Sequence, residues 1–580
     1  MKNKEIAEIF NRIADILELR EANRFRISAY RRAAQNLENY PLDIAEASEA
    51  GSLHEIPGIG KDLGAKIEEY LESGEIEYLG ELLDETPDVL LDMLRVQGIG
   101  PKTALLLYNE LDIESLADLK KAALEHRVQG LPKIKAKTEE NILKGIEFLE
   151  RSAGRIPIGT AFPLAEEIID SLSKLPFVDK ISAAGSLRRF RETVGDIDIL
   201  VTSKKPVDVI RHFTALPLVT RILADGKTKG SVITSADIQV DLRVVAKESY
   251  GAALNYFTGS KEHNIRLREI AQQKKMKLSE YGLFKKIRGG KERRVAGKSE
   301  EEVYEKLGLP YIAPELREDT GEIEAAREGS LPSLVTLEDI KGDLHFHSDW
   351  SDGTASLEEV AEAGRKAGYK YLIISDHTKS LTIANGLTEE RLVKQMKEID
   401  RINARMKGFR LLKGSEVDIL PDGSLDLDKR VLKKLDLIII AVHSRFKMKR
   451  DDMTRRVIKA LQHPFPTILA HPTGRLIGTR EAYEIDMDAV IKAAADSRSA
   501  IEINAHPLRL DLDAATARKA AAARVPISIS TDTHTPATEM KYMLYGVATA
   551  RRGWLEPKHV INTLSAAKLL SLLSGKIGTK

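Results

Sequence analysis

The amino-acid sequence predicts a multidomain chain, α+β in its first half and α/β in its second. Three observations predict this. The 580 residues exceed what one hydrophobic core organises. The first 150 read as short helices separated by glycine turns, and a mixed strand and helix pattern follows from about Ile156 to Tyr311. From Gly342 onward one unit recurs, a short apolar run closing on His, Asp or Glu and then a helical segment. The runs are DLHFH (343–347), YLIISDH (371–377), RLLKGSE (410–416), LIIIAVHS (437–444), TILAH (467–471), AIEINAH (500–506) and PISISTDTH (526–534). Seven buried parallel strands alternating with helices make a barrel of the (βα) type, whose site lies where strands end.

Composition narrows the chemistry. There are no cysteines, which excludes disulfides and thiolate metal sites, so any metal must sit on His, Asp and Glu. No apolar stretch has spanning length and the N-terminus has no h-region, so a cytoplasmic protein without a membrane partner is expected. The net charge of +1 is unevenly spread: residues 1–150 carry 19 Lys and Arg against 30 Asp and Glu, net −11. Nucleic-acid contacts there must come from local geometry rather than bulk charge.

That geometry is present in two helix-hairpin-helix patterns, Ile56-Pro57-Gly58-Ile59-Gly60 and Val96-Gln97-Gly98-Ile99-Gly100, followed by Lys61 and Lys102. The glycines let the backbone approach a phosphate, and the next helix presents its N–H groups to it. Such contacts ignore base sequence. Gly130-Leu131-Pro132-Lys133 is a third, weaker candidate.

Around GSLRRFRETVGDID (185–198), Asp196 and Asp198 are one residue apart in an apolar run, so both leave one strand face. Asp241 sits in IQVDLRVV, another short strand. Three convergent carboxylates suit two Mg²⁺ ions, one at an attacking hydroxyl and one at a triphosphate. Gly185 and Ser186 offer close backbone approach and a hydroxyl, and Arg188 and Arg189 offer charge for phosphates. This much fits any nucleotidyltransferase.

With Tyr256-Phe257-Thr258-Gly259-Ser260, Asn264, Arg268 and SEYGLF (279–284) following in order, residues 1–315 resemble the DNA polymerase beta group of family X. The resemblance implies a nucleotidyltransferase palm and thumb. It also implies catalytic metal binding by Asp196, Asp198 and Asp241, and nucleotide binding by Gly185, Ser186, Arg189, Tyr256, Phe257, Gly259, Asn264 and Arg268. The substrates implied are gapped or nicked DNA and deoxynucleoside triphosphates. Lys66 in GIGKDLGAKI falls where such proteins can carry a Schiff-base lyase lysine. Arg26 and Asp62 depart from the pattern, and an Asp repels a 5′-phosphate, so weak or absent lyase activity is expected. Gln239 stands where the vertebrate enzymes carry an Arg, so solvent is expected to take the primer proton.

Nine of the thirteen histidines lie in 342–580. The ligand candidates are His345, His347, Asp352, His377, Glu416, His443, His471, Asp532 and His534. In HFH both imidazoles point to one strand face. Nitrogen and oxygen donors without sulfur suit Zn²⁺, Mn²⁺ or Fe²⁺. The segments DLHFHSDWSDG, SDHT, GSEVDI, AVHS, AHP and STDTH resemble the PHP (polymerase and histidinol phosphatase) superfamily. This implies a distorted (βα)₇ barrel with three ions, Mn²⁺ or Zn²⁺, and a 3′→5′ exonuclease, with 3′-phosphate and abasic-site cleavage as further activities.

The expected domains are a helix-hairpin-helix domain (1–80), a fingers-like domain (81–152), palm (153–247), thumb (248–315), a polar linker (316–337) and the PHP domain (338–575). A monomer that fills short gaps in base excision repair, with a ligase as a repair partner, is the reading these make together. A template-independent nucleotidyltransferase, a DNA-binding scaffold and a small-metabolite PHP phosphatase are the alternatives. Extension of single strands would mark the first and hydrolysis of small phosphates but not DNA the third, while the complete carboxylate and histidine sets argue against the second.

Overall fold

A computed structural model describes residues 2–38, 44–56, 58–96, 99–132, 134–152, 154–287 and 291–574. Gly98, Pro57, Gln97 and Lys133 of the hairpin patterns, and residue 575 at the expected end of the PHP domain, lie outside them. The chain divides into two compact units, residues 1–153 with two three-residue loop pieces, and the remainder.

The first unit is helical. Helix Lys2–Leu19 carries Ile6, Phe10, Ile13 and Leu17 at helical spacing, and these pack with Tyr30, Leu37 and Ile67 into one core. Helices Asp88–Leu94, Pro101–Leu111, Leu116–Leu124 and Ala136–Ser152 close a second core around Met93, Leu107, Leu119 and Ile142.

The second unit begins with helix Ile158–Ser173 and a five-stranded sheet. The strands lie in the order Val178–Ala183, Ile197–Ser203, Gln239–Val245, Lys229–Thr234, Val219–Asp225. Ile197–Ser203 and Gln239–Val245 are parallel neighbours, and the other pairs are antiparallel. In Gln239–Val245 the residues Val240, Leu242 and Val244 are buried, which turns Asp241 to the opposite, accessible face. Helices Tyr250–Thr258 and Lys261–Gln273, a three-stranded antiparallel sheet and helix Glu300–Leu307 come next.

The segment expected as a polar linker is folded and packed. It contains helix Glu322–Glu328, Ile323 lies in the core of the preceding helices, and Arg317 and Glu322 have no exposure at all. Arg317 reaches Glu300 at 2.6 Å and lies over the rings of Tyr304 and Tyr311, while Glu322 pairs with His263 at 2.6 Å. These two charges are buried partners rather than solvated ones, while Asp319, Glu324, Arg327 and Glu328 stay exposed, and composition alone does not distinguish the two kinds.

The remainder is the barrel. One parallel sheet holds Gly342–Asp343, Tyr371–Ile374 and Arg410–Lys413; another holds Glu416–Asp418, Ile438–Ala441, Thr467–Leu469, Ala500–Asn504 and Ile527–Ser530. Backbone bridges His377–Glu416 and Phe346–Thr533 join the two sheets at both edges, so the ring closes. Arg410–Lys413 and Glu416–Asp418 are halves of one strand broken at Gly414, where a Cβ would fall 2.6 Å from the Ile373 side chain. That leaves seven strands.

The barrel is fastened to the five-stranded sheet's side of the unit. Leu510 and Tyr545 enter the hydrophobic core under helix Ile158–Ser173. Arg475 grips Glu192 with two bonds (2.7 and 3.2 Å), and a Cβ on Gly159 would fall 2.5 Å from Pro507. No helix among the described residues is long and apolar enough to cross a membrane.

Candidate active sites

The seven strand ends bring the barrel candidates together. Glu416 lies at the centre: His471 Nε2 (2.8 Å), His377 Nδ1 (2.9 Å), His443 Nε2 (3.1 Å), His345 Nε2 (3.4 Å) and His347 Nε2 (3.7 Å) all face its carboxylate. Asp532 faces His345 Nε2 and His347 Nε2, each at 3.3 Å. Among the described residues three groups offer ligand atoms within 4.8 Å of one another: His347 with Asp352, His377 and His534; His345 with His347 and Asp532; His377 with Glu416 and His443. His471 belongs to none of these, but its Nε2 faces Glu416 and its ring neighbours those of His345 and His443. His471 and Asp532 hold left-handed backbone (φ 27° and 56°), the kind of local strain a site tolerates when the surrounding fold over-determines it.

The donor set fits cations. His345 Nε2 and Glu416 Oε2 are buried, make no hydrogen bond and converge to 3.4 Å. Buried polar atoms left in that condition need a partner, and a divalent ion supplies one to both. Burial opposes charge on Glu416 and Asp532, yet the surrounding imidazoles hold both carboxyls well below their ordinary values. Burial likewise disfavours protonated His345, and Asp532, Glu502 and Glu416 outweigh it and push that imidazole well up.

Neighbouring residues fix the ligands, and sequence reasoning missed them. Asp418 takes His443 Nδ1 at 3.3 Å, and Asp376 takes the backbone N–H of Ser348 (2.8 Å) with Ser351 and Gln395, pinning the turn after HFH. Glu502 and Asn504 stand beside His345 and Asp532. The available signal was a charged residue on a strand otherwise buried throughout, as in AIEIN.

The sheet site is more open. Asp198 and Asp241 are paired residues on parallel neighbour strands, and Asp196 lies two residues before Asp198, so the three carboxylates share one face. Burial, then Asp196 and Asp241, push Asp198 up to about 7; burial, then Asp241, raises Asp196. For Asp241 burial works in the same direction, but hydrogen bonds from Ser231, Gln239 (3.1 Å) and Lys229 (3.1 Å) hold it below its ordinary value. Lys229 was not anticipated. Gly185 (φ 62°) leaves room that a Cβ would fill 2.6 Å from Asp198 Oδ2, with Ser186 beside it on the turn Gly185–Arg188.

The arginines there are already engaged. Arg188 binds Glu300 with two bonds (3.0 and 2.6 Å) and Thr258 Oγ1 (2.7 Å). Arg189 Nε pairs with Glu318 at 3.1 Å and its Nη1 donates to the Thr258 carbonyl. Gly259 (φ 70°) lets that guanidinium approach, since a Cβ would lie 3.0 Å from Nη1. Tyr256 is exposed and meets Phe257 edge-on, and Arg243 covers the Phe257 ring at 4.7 Å. Asn264 donates to the Tyr256 carbonyl at 2.7 Å, and Arg268 is half-buried one turn further on.

In the helical unit Gly60 and Gly100 are the N-caps of Lys61–Ser73 and Pro101–Leu111, extended and without a capping side chain. Gly58 (φ 83°) makes the turn before the first, and Lys61 and Lys102 are exposed in the opening turns. Lys66 has a side chain 15% accessible, paired with Asp62 at 3.0 Å and lying over the Tyr78 ring.

An open sheet with three aspartates on one face, joined to a closed parallel barrel lined with imidazoles and carboxylates, defines a metal-dependent enzyme of phosphoester chemistry. Family models match in order: a helix-hairpin-helix domain at 1–76, a SAM-like helix-hairpin-helix tandem at 90–147, the DNA polymerase beta thumb at 253–318 and the PHP domain at 343–506. The chain is 42% identical to the Bacillus subtilis (strain 168) protein named DNA polymerase/3'-5' exonuclease PolX, over 97% of this chain and 98% of that one. It is 26% identical to DNA polymerase lambda of Rattus norvegicus over 51% of this chain and 53% of that one. It is 31% identical to a probable phosphatase of Thermoanaerobacter sp. (strain X514) over 28% of this chain and 63% of that one. The chain belongs to the family X DNA polymerases that carry a C-terminal PHP domain.

Proposed function

We propose that this protein is a DNA polymerase that fills short gaps during repair, with a 3′→5′ exonuclease in its barrel. The observation that carries the reading is the register of Asp198 beside Asp241, with Asp196 on the same face, in the chain that also gathers five imidazoles around Glu416.

In the sheet, Asp196, Asp198 and Asp241 would hold Mg²⁺, which neutralises charge on the triphosphate and lowers the barrier to attack by the primer hydroxyl. Ser186 and Arg189 bind the triphosphate. Arg189 does so by sharing or leaving its bond to Glu318. Tyr256 and Phe257 wall the sugar, Asn264 meets the base edge and Arg268 the minor groove. Gln239 donates to Asp241, and its neutral amide is too weak a base to take the primer proton, so solvent takes it. Gly58, Gly60 and Lys61, with Gly98, Gly100 and Lys102, hold the DNA backbone through helix N-termini.

In the barrel, the nine ligands would hold three ions, Mn²⁺ or Zn²⁺, which supply a hydroxide and clamp the phosphodiester. 3′-Phosphate and abasic-site cleavage use the same chemistry. Asp62, which repels a 5′-phosphate and pairs with Lys66, speaks against lyase activity. The protein works as a monomer on nucleoid DNA and leaves a nick, the substrate of a ligase.

The test is a one-nucleotide gapped duplex with a labelled primer, incubated with Mg²⁺ or Mn²⁺ with and without nucleotides. Templated insertion of one residue and stepwise shortening from the 3′ end are expected. Untemplated extension, or hydrolysis of small phosphate esters without attack on DNA, would overturn the reading.

A further inference from the structure

Six of the seven barrel strands lead into candidate ligands, and one does not. Strand Ala500–Asn504 ends near His506, which meets Tyr542 edge-on and enters none of the ligand groups found among the described residues. Yet this strand places Glu502 and Asn504, two residues apart and so on one face, at full burial beside the centre. A carboxylate is strongly disfavoured in an apolar strand unless partners satisfy it.

Glu502 has partners on both oxygens. Oε1 accepts from His345 Nδ1 at 2.8 Å, and Oε2 accepts the backbone N–H of His471 at 2.7 Å. Asn504 Nδ2 then bridges Glu502 Oε2 (3.3 Å) and Asp532 Oδ2 (3.0 Å). With both oxygens turned to N–H donors, the carboxylate is not offered to an ion. The proton it holds on Nδ1 leaves the lone pair of His345 on Nε2, the atom that faces Glu416 at 3.4 Å and Asp532 at 3.3 Å.

We infer that Glu502 is a positioning residue for the barrel's metal centre: it fixes the tautomer and ring plane of His345 and anchors the backbone that delivers His471. The strand without a ligand is thus the one that aims its neighbours' ligands. This rests on the barrel's being a metal centre.

The test uses full-length protein carrying Asp196→Ala/Asp198→Ala, so that only the barrel binds tightly, stripped with EDTA and titrated with Mn²⁺ alone in a calorimeter. Glu502→Gln keeps one carbonyl acceptor but sets an amide N–H against the other donor; Glu502→Asp keeps the charge on a shorter arm. The expected result is a dissociation constant raised about 10- to 100-fold in Glu502→Gln, a smaller rise in Glu502→Asp, and melting in EDTA close to that of the parent. Unchanged affinity in Glu502→Gln overturns the inference and leaves the metal centre standing. So does a variant that melts earlier in EDTA yet binds Mn²⁺ as the parent does, since a merely structural role moves only the melting. If the parent itself binds no Mn²⁺ that His345→Ala/His347→Ala removes, the metal-centre reading fails first.

Discussion

In the sheet, three carboxylates stand on an accessible face with Lys229, Ser231 and Gln239 already bound to one of them. In the barrel, six imidazoles and three carboxylates stand at the strand ends, with buried donor atoms converging on one another. The first arrangement is short of ligands and repels itself: burial and its neighbours push Asp198 up to about 7. The second compensates its charges internally before any ion arrives. A site of the first kind is completed by oxygens that the substrate brings, as Mg²⁺ sites commonly are. A site of the second kind can keep its ions between turnovers.

The sharpest break in this comparison is by paired variants. Asp196→Ala/Asp198→Ala should lower gap filling at least about a thousandfold, about 4 kcal/mol of barrier, and leave 3′ trimming. His345→Ala/His347→Ala should do the reverse, both read on labelled gapped duplexes. Loss of both activities in either variant would mean that the centres are not separate.

Metal removal tests residence. After EDTA treatment, adding Mn²⁺ at about 100 times its dissociation constant should restore about 2.7 kcal/mol of stability through the barrel, seen as a higher melting temperature. His345→Ala/His347→Ala should lose that rise and Asp196→Ala/Asp198→Ala should keep it; equal rises in both would remove the distinction.

The fastening between the two sites is a smaller effect. Arg475→Ala deletes two bonds to Glu192 and those to the Arg509 and Leu510 carbonyls. Partly accessible charged bonds of this kind place the loss at about 1.5–3 kcal/mol, measurable by urea unfolding. No change would show that Leu510 and Tyr545 hold the contact by packing alone.

The least effect is expected from acid. Burial would raise Glu300, but Arg317 and Arg188 outweigh it and hold it below its ordinary 4.5. A lowered folded value means that its stabilisation is complete above 4.5 and is lost as pH falls through the lowered value. Melting of the wild type should therefore weaken below pH 4.5, with a shallower slope in Glu300→Gln; parallel slopes would show that Glu300 is not the group titrating.

The clustering of these side chains was largely legible in the chain, since every barrel candidate but Asp352 closes an apolar run and a two-residue period assigns its face. Asp196 with Asp198, and His345 with His347, are legible in that way. Glu502 was not, because Ile501-Glu502-Ile503-Asn504 alternates as a half-exposed strand does and reads the carboxylate as solvent-facing, whereas the strand is buried throughout. The segment 316–337 misled for a related reason. Its charges look solvated, while Arg317 and Glu322 are buried against Glu300 and His263.

By itself, then, the sequence determined the type and order of the elements, the seven strand ends rich in donors, the hairpin glycines and the absence of sulfur chemistry. These depend on local period and residue type, which act within a few positions along the chain. Tertiary structure alone decided that Asp241 stands beside Asp198, that Phe346 meets Thr533 to close the ring, and that Glu502 holds His345. Each is a pairing between distant strands. A period of two assigns a face but never a neighbour, and the neighbour is chosen only when the whole core packs.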